Sequence, residues 1–293
     1  MNGILVIDKP EGITSFQVIA SLRKISGIKR IGHGGTLDPM ATGVLPVFFG
    51  RTARICDILP DEKKVYKAEV RLAVETDTED ITGNIISEYS GALPSLSEIE
   101  RTVASFVGEY DQAVPMYSAV SVGGKRLYEL ARSGEVLEDR PVRKVAIDSI
   151  DIEGYDGKDI SFTVSCRKGT YIRTLASDIG KALGCGATLK SLRRTYSAGF
   201  SLSKAVNLSD ISSIDDIEKA LLKTEVAFEL LPGIKLDEVQ TKMFLNGVTL
   251  DSARIIGANE KGRCRIFSHI GEFLGIADDL SGELKIVKVL RGD

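Results

Sequence analysis

Residues 65–74 limit the possible folds more than any other stretch. Tyr66, Ala68, Val70, Leu72 and Val74 alternate with Val65, Lys67, Glu69, Arg71 and Ala73. Successive side chains of a strand point to opposite faces, so this period of two places the first set on one buried face. Ile160, Phe162, Val164 and Cys166 alternate in the same way, and Val145, Ile147, Ile150 and Ile152 suggest a third strand. Gly3–Ile7 and Val44–Phe48 are short apolar runs that read as strands. A half-buried sheet needs a covering layer, and helical spacing supplies it. Val18, Ile19, Leu22 and Ile25 share one face of a helix capped by Thr14 or Ser15 and stopped at Gly27. Ile172, Leu175, Ala176, Ile179, Ala182 and Leu183 share another, with Gly184 as its stop. Ser97 with Glu100 predicts a capping box before a helix over 99–107, and a short helix over 51–59 ends before Pro60. The chain thus carries both strands and helices to cover them.

One stretch carries chemistry as well as structure. Gly32-His33-Gly34-Gly35-Thr36-Leu37-Asp38-Pro39-Met40-Ala41-Thr42-Gly43-Val44-Leu45-Pro46 predicts an irregular loop that displays Asp38 and leads into a strand. Pro39 pushes Asp38 away from the helical region, and the glycines permit backbone angles that other residues resist. By composition alone this is a turn with a solvated Asp.

The charge pattern is uneven. The net charge of −3 argues mildly against a nucleic-acid partner, but distribution matters more than the sum. Arg23, Lys24, Lys29 and Arg30 precede the loop with no acid between them; Lys190, Arg193 and Arg194 form a second basic cluster, and Arg167, Lys168 and Arg173 a third. Taken alone, such clusters are solvated surface. Cys56, Cys166, Cys185 and Cys264 are scattered, with only His33 and His269 to assist. That spacing argues against a zinc site or a disulfide framework and for a cytoplasmic protein. There is no apolar run of membrane-spanning length and no signal-peptide pattern.

The later regions are less regular. Residues 113–140 predict a long excursion with a short helix after Arg126. Residues 203–231 read as a polar helical connector. Residues 234–293 hold a helix near 237–245 and strands near 263–269, 273–277 and 284–290, the pattern of a small β-barrel. Over 293 residues this predicts one large domain and one small one.

The stretch GHGGTLDPMATGVLPV resembles the signature of the TruB family of tRNA pseudouridine synthases. Further elements follow in that family's order across roughly residues 1–200: Asp8-Lys9-Pro10, Lys64-Val65-Tyr66, Thr76-Asp77-Thr78-Glu79-Asp80, Lys168-Gly169-Thr170-Tyr171-Ile172-Arg173 and Leu192-Arg193-Arg194. Gly34 departs from the Thr or Ser usual in relatives. The resemblance implies an α+β fold with a core of mixed, largely antiparallel sheet and flanking helices, a thumb-like insertion over 113–140 that closes on an RNA stem-loop, and a C-terminal PUA-like β-barrel. It implies domains of 1–231 and 232–293. It further implies isomerisation of uridine to pseudouridine at position 55, in the T-loop of tRNA, by a monomer that needs no cofactor, metal or membrane. The short flanks of the chain favour action without guide RNA over the guide-dependent type. A tRNA-folding chaperone without chemistry is the alternative from another class.

The resemblance also implies roles. Asp38, Tyr66 and Arg173 are the catalytic residues: Asp38 is the nucleophile, Tyr66 stacks on the target base, and Arg173 accompanies Asp38. His33 fills the space left by a flipped base or bonds a flipped nucleotide, Tyr171 contacts the nucleotide and Leu192 walls the pocket. Arg23, Lys24, Lys29, Arg30, Arg193 and Arg194 hold phosphates. The Asp38–Arg173 pairing has physical support of its own. Arg173 falls in the first turn of a helix, where the macrodipole disfavours a cation, so an anion is expected nearby. A buried Asp without a partner tends to protonate, and an adjacent guanidinium prevents that. A guanidinium nitrogen is therefore expected within about 4 Å of an Asp38 oxygen.

Overall fold

The computed structural model describes residues 1–290 apart from Val136, Glu138 and 259–261. The thumb-like insertion and the C-terminal barrel expected from sequence therefore each include a few positions outside the described residues. The chain opens with β1 (Gly3–Lys9), α1 (Ser15–Ser26), β2 (Ile31–His33) and β3 (Thr42–Phe49). After β4 (Lys63–Leu72) come a small hairpin, β5 (Val74–Thr76) and β6 (Ile85–Glu88), then α2 (Leu96–Ala104) and β7 (Gly108–Ala113). The excursion holds β8 (Ser121–Val122), β9 (Lys125–Arg126) and α3 (Leu127–Arg132). The sheet resumes with β10 (Val142–Tyr155), β11 (Asp159–Arg167), α4 (Ile172–Ala182), β12 (Ala187–Ser197) and β13 (Phe200–Ser201). β14 (Val206–Asn207) and α5 (Ile214–Ala220) lead to the C-terminal region. That region contains β15 (Gly233–Lys235), α6 (Glu238–Leu245), β16 (Leu250–Asp251), β17 (Gly262–Phe267), β18 (Phe273–Leu280) and β19 (Glu283–Val289).

The main sheet runs β14-β1-β3-β12-β4-β11-β10-β7, with β2 beside β3 and β13 beside β12. Among the described residues its parallel pairs are β1–β14 and β3–β12 alone, so the sheet is mixed and largely antiparallel. At β1 both of its faces are covered. In β1, Leu5 and Ile7 join the helix-covered core with α1 residues Val18 and Leu22 and α4 residues Leu175 and Ile179. Their neighbours Ile4 and Val6 face the other way, into a cluster with Phe48, Phe200 and Phe228. Ile276 and Leu290 complete that second cluster, so the C-terminal region packs on the back of the sheet. Its five strands, ordered β15-β17-β18-β19-β16, form a curled half-barrel of the PUA-like kind.

Several local expectations shift. The capping box before α2 is Ser95 with Glu98, two residues earlier than Ser97 and Glu100. Ser95 has the extended backbone of an N-cap, at a φ of −69° and a ψ of 158°. The helix expected over 51–59 is a 3-10 helix, Gly50–Ile55. The strand expected to reach residue 74 stops at Leu72, because Ala73 takes a positive φ of 66° and turns the chain into β5. Within 203–231 the one α-helix among the described residues is α5, and β14 adds an edge to the main sheet. The Leu192-Arg193-Arg194 element has no alternation of its own to mark a strand, yet it lies on β12 at the centre of the sheet.

Candidate active site

The loop between β2 and β3 is held from below by two buried cations. Arg194, fully buried, donates from Nε to the Val44 carbonyl at 2.7 Å and from Nη2 to that of Gly35 at 3.0 Å. Its own strand approaches β3 closely at this point. Gly43, at a φ of 102°, pairs with Arg194, and a Cβ there would lie 2.1 Å from the Arg194 carbonyl oxygen, so only glycine fits. Lys9, also fully buried, donates from Nζ to the carbonyls of Pro10 at 2.8 Å, Ile13 at 2.6 Å and Pro39 at 3.3 Å. Burial pulls the Lys9 amine down to about 8, against the attraction of Asp38. Ser15 at the start of α1 clasps Leu37: its Oγ accepts from the Leu37 amide at 2.9 Å and donates to the Leu37 carbonyl at 3.0 Å. The residues on either side of Asp38 are thus fixed to β1, α1 and β12.

Gly34 also has a structural reason. A Cβ at this position would lie 3.1 Å from the Phe48 ring, so the ring occupies room that a larger residue needs.

Asp38 itself is half-buried, with its side chain 35% exposed, and meets Arg173 of α4, which is 5% exposed. Arg173 Nε donates to Asp38 Oδ2 at 2.9 Å and Nη2 to Oδ1 at 3.4 Å, within the separation expected from sequence. The remaining donors go to backbone. Nη1 donates to the Thr78 carbonyl at 3.0 Å and Nη2 to the Tyr117 carbonyl at 2.9 Å. A second carboxylate, that of Asp80, lies 4.0 Å from Arg173 Nε. Asp80 is buried, and its Oδ1 accepts from Thr78 Oγ1 at 2.9 Å and from the Thr82 amide at 3.0 Å. A guanidinium with every nitrogen engaged cannot swing, so it presents the Asp38 carboxylate in one orientation.

The other catalytic and substrate-binding residues named from sequence lie on β2, β4, β12 and at the start of α4. Tyr66, on β4, lies beside Arg194 of β12 and is buried, and burial raises its phenol above the ordinary tyrosine range. Leu192, two residues before Arg194 on β12, belongs to the helix-covered core. Tyr171 caps α4, and the buried Gln112 side chain holds its backbone on both sides: Oε1 accepts from the Tyr171 amide at 2.8 Å and Nε2 donates to its carbonyl at 3.1 Å. Tyr171 also packs on the cluster of Val114, Met116, Leu127 and Leu130 in the excursion. His33 closes β2; burial lowers its imidazole below the ordinary range, and its buried Nδ1 has no hydrogen-bond partner among the described residues. Lys64, beside Gly35 and Arg194, is pulled down to about 8 by burial.

The basic residues divide. Lys24, Lys29 and Arg30 are exposed, while Arg23 is half-buried and donates to the Ile31 carbonyl at 3.1 Å. Arg193 forks onto Asp8, at 2.6 Å and 3.1 Å. Arg194, expected to hold a phosphate, cannot do so here, because its guanidinium is buried under the loop and engaged by carbonyls. Lys9, Glu79 and Asp80 stand in the sequence as motif members without an evident task, and nothing local marks Gln112. The signal available for Asp80 is the density of Thr and Asp in Thr76–Asp80, a pattern suited to local side-chain hydrogen bonds.

Comparisons with known proteins bear on this geometry. Residues 23–172 match the model for the TruB family pseudouridylate synthase (N terminal domain), and residues 173–232 that for the tRNA pseudouridylate synthase B C-terminal domain. A tRNA pseudouridine synthase B of Clostridium tetani is 39% identical over 290 residues, covering 99% of this chain and 100% of its own. The one from Alkaliphilus oremlandii is 43% identical over 256 residues, 87% of this chain and 85% of its own. Among solved structures, the chain superposes with a TM-score of 0.74 on a "Crystal Structure of a Cbf5-Nop10-Gar1 Complex", at 27% identity, covering 98% of this chain and 84% of that one. A "Structure of H/ACA RNP bound to a substrate RNA containing 2'-deoxyuridine" matches with the same TM-score at 25% identity, covering 99% and 85%.

Proposed function

The chain belongs to the TruB family of pseudouridylate synthases, and we propose that it isomerises uridine 55 in the T-loop of tRNA, without guide RNA, with Asp38 as the nucleophile. The observation that carries this reading is the part-exposed Asp38 carboxylate, 2.9 Å from Arg173 Nε. The reaction breaks the N1–C1′ bond and forms a C5–C1′ bond; the proton leaving C5 is balanced by one gained at N1. A carboxylate serves such a step by attacking the sugar carbon or the base and leaving once the uracil has turned. Arg173 holds the Asp38 carboxylate in one orientation through its planar fork.

A stacked uridine cannot reach Asp38, so it must flip out at a cost of a few kcal/mol. Tyr66 stacks on the flipped base, Leu192 walls the pocket, Tyr171 contacts the nucleotide, and the neutral His33 fills the vacated space or bonds a flipped nucleotide through Nδ1. Arg23, Lys24, Lys29, Arg30 and Arg193 lie toward phosphates. The catalytic unit spans 1–231, the RNA-binding half-barrel spans 232–293, and the chain acts as a monomer in the cytoplasm. Among the described residues no helix is long and apolar enough to cross a membrane.

The test is incubation with an unmodified tRNA transcript, without guide RNA, followed by mapping of pseudouridine. Conversion at the T-loop uridine supports the reading. Conversion only when a guide RNA is added would favour the second reading, which rests on the likeness to the Cbf5-containing structure.

A further inference from the structure

Glu79 follows Thr78 in the turn between β5 and β6, and its φ is 62°. This left-handed region is resisted by any residue with a Cβ, and glycine is the usual occupant. The side chain explains why a glutamate stands there. Its Oε2 accepts from Thr174 Oγ1 at 2.7 Å, and its Oε1 pairs with Arg140 Nη1 at 3.2 Å. The carboxylate is only 12% exposed. Thr174 is the residue after Arg173 on α4. Arg140 ends the excursion over 113–140. The carbonyl of Thr78, in the peptide joined to Glu79, is the one that accepts from Arg173 Nη1 at 3.0 Å. One carboxylate therefore ties together the base of the excursion, the first turn of α4 and the peptide that holds Arg173.

Other contacts follow the same route. The Tyr117 carbonyl, inside the excursion, accepts from Arg173 Nη2 at 2.9 Å. The Leu189 amide of β12 donates to the Glu79 carbonyl at 3.1 Å, which pins the turn to the central sheet. Asp178, one turn further along α4, is the other carboxylate near Arg140. Burial raises its carboxyl, and Glu79 adds to the rise while Lys181 and Arg140 oppose it. Of these two carboxylates, Glu79 is the one with which Arg140 makes its ion pair.

We infer that Glu79 is a positioning residue for the isomerisation: with Arg140 it locks the base of the 113–140 excursion to the turn and helix that aim Arg173 at Asp38. The inference rests on the reading of Asp38 and Arg173 as the reacting pair. It adds that the placement of the excursion, not only the pair itself, determines how well the carboxylate is aimed. A bistable or displaced support alters chemistry without altering the groups that touch substrate.

The experiment uses the full chain and an unmodified tRNA transcript. Single-turnover rate at saturating enzyme, tRNA affinity and melting temperature are measured for Glu79→Gln, Arg140→Gln, the double variant, Arg140→Lys and Asp38→Asn. Glu79→Gln keeps the shape and one hydrogen bond to Thr174 but loses the ion pair. Its saturating rate is expected to fall roughly tenfold while affinity stays within about twofold of wild type. The double variant is expected to be no slower than either single one, the signature of a shared interaction. Arg140→Lys is expected to recover most of the rate that Arg140→Gln loses.

A wild-type rate in Glu79→Gln overturns the inference. So do additive losses in the double variant, or a rate loss that disappears once each protein is assayed at the same distance below its melting temperature. Asp38→Asn separates the two levels: a dead Asp38→Asn with a fully active Glu79→Gln removes only this inference, whereas an active Asp38→Asn removes the reading of the site beneath it.

Discussion

The floor beneath the Asp38 loop and the interior of the C-terminal half-barrel are both closed to solvent, but they are built from opposite materials. Beneath the Asp38 loop lie Arg194, Lys9 and Arg173, cations buried against carbonyls and a carboxylate. The half-barrel is filled by Ile234, Leu236, Phe244, Ile266, Leu274 and Leu284, with Ser252 and Asp279 as a hydrogen-bonded exception at 2.6 Å. Apolar burial is non-directional and scales with area, so it stabilises a shape without fixing any one atom. Buried charges add little net stability but tolerate few arrangements, because each one left unpaired is costly. The first region is accordingly organised for aim and the second for cohesion.

The largest expected effect lies at the floor. Asp38→Asn should lower the single-turnover rate by at least roughly a thousandfold while tRNA still binds. Near-normal turnover would identify another nucleophile and leave the floor with only a structural task. Arg173→Lys comes next: it keeps the charge but loses the fork, and a rate loss on the order of a hundredfold is expected. If lysine works as well as arginine, charge rather than aim is what this region provides.

The half-barrel should respond in the opposite sense. Phe244→Ala should cost about 3–5 kcal/mol of stability through lost burial and the cavity left behind. Denaturant titration reads that loss, and tRNA affinity should weaken while the saturating rate is kept. An equal loss of rate would make the half-barrel part of the active site. A point change is a cleaner probe than removing the region, since Ile276 and Leu290 help cover Ile4, Val6 and Phe48.

Reversing the charges of Arg23, Lys24, Lys29 and Arg30 together should weaken tRNA binding and flatten its salt dependence, by roughly one in slope for each phosphate that is no longer neutralised. An unchanged slope returns these residues to solvated surface. The smallest effect concerns pH. Lys9 ionises at about 8 in the folded chain, against 10.5 as its ordinary value. Between those values the unfolded chain binds the extra proton, so this residue makes stability rise with pH across the window and lose that gain as pH falls through 8. Lys9→Met lacks the slope, so its stability deficit relative to wild type should widen from pH 8 to 10.5. A constant deficit would mean that the floor holds Lys9 without distorting its ionisation.

Much of this design is legible along the chain. The alternation at Tyr66–Leu72 and Ile160–Cys166 marks β4 and β11 because a pleated strand repeats every two residues. The apolar spacing and terminal glycines mark α1 and α4 for equally local reasons. Even the Asp38–Arg173 pair, 135 residues apart, is foreshadowed by a cation in a helix's first turn. Arg194 misleads because its surroundings in sequence are basic and suggest a surface cluster. Its strand is central instead, and its partner at Gly35 lies 159 residues away.

The alternating strands β4 and β11 and the helices α1 and α4 are set by the amino-acid sequence alone, since each depends on residues within a turn or a pleat of one another. Which cations go inside is settled at the level of tertiary packing. The parallel pairing of β3 with β12 sets Arg194 beneath the loop, and the turn at Glu79 sets its carboxylate between Arg140 and Thr174. A buried charge is stable only where carbonyls or an opposite charge converge on it, and that convergence comes from sheet register between distant segments rather than from any pattern along the chain.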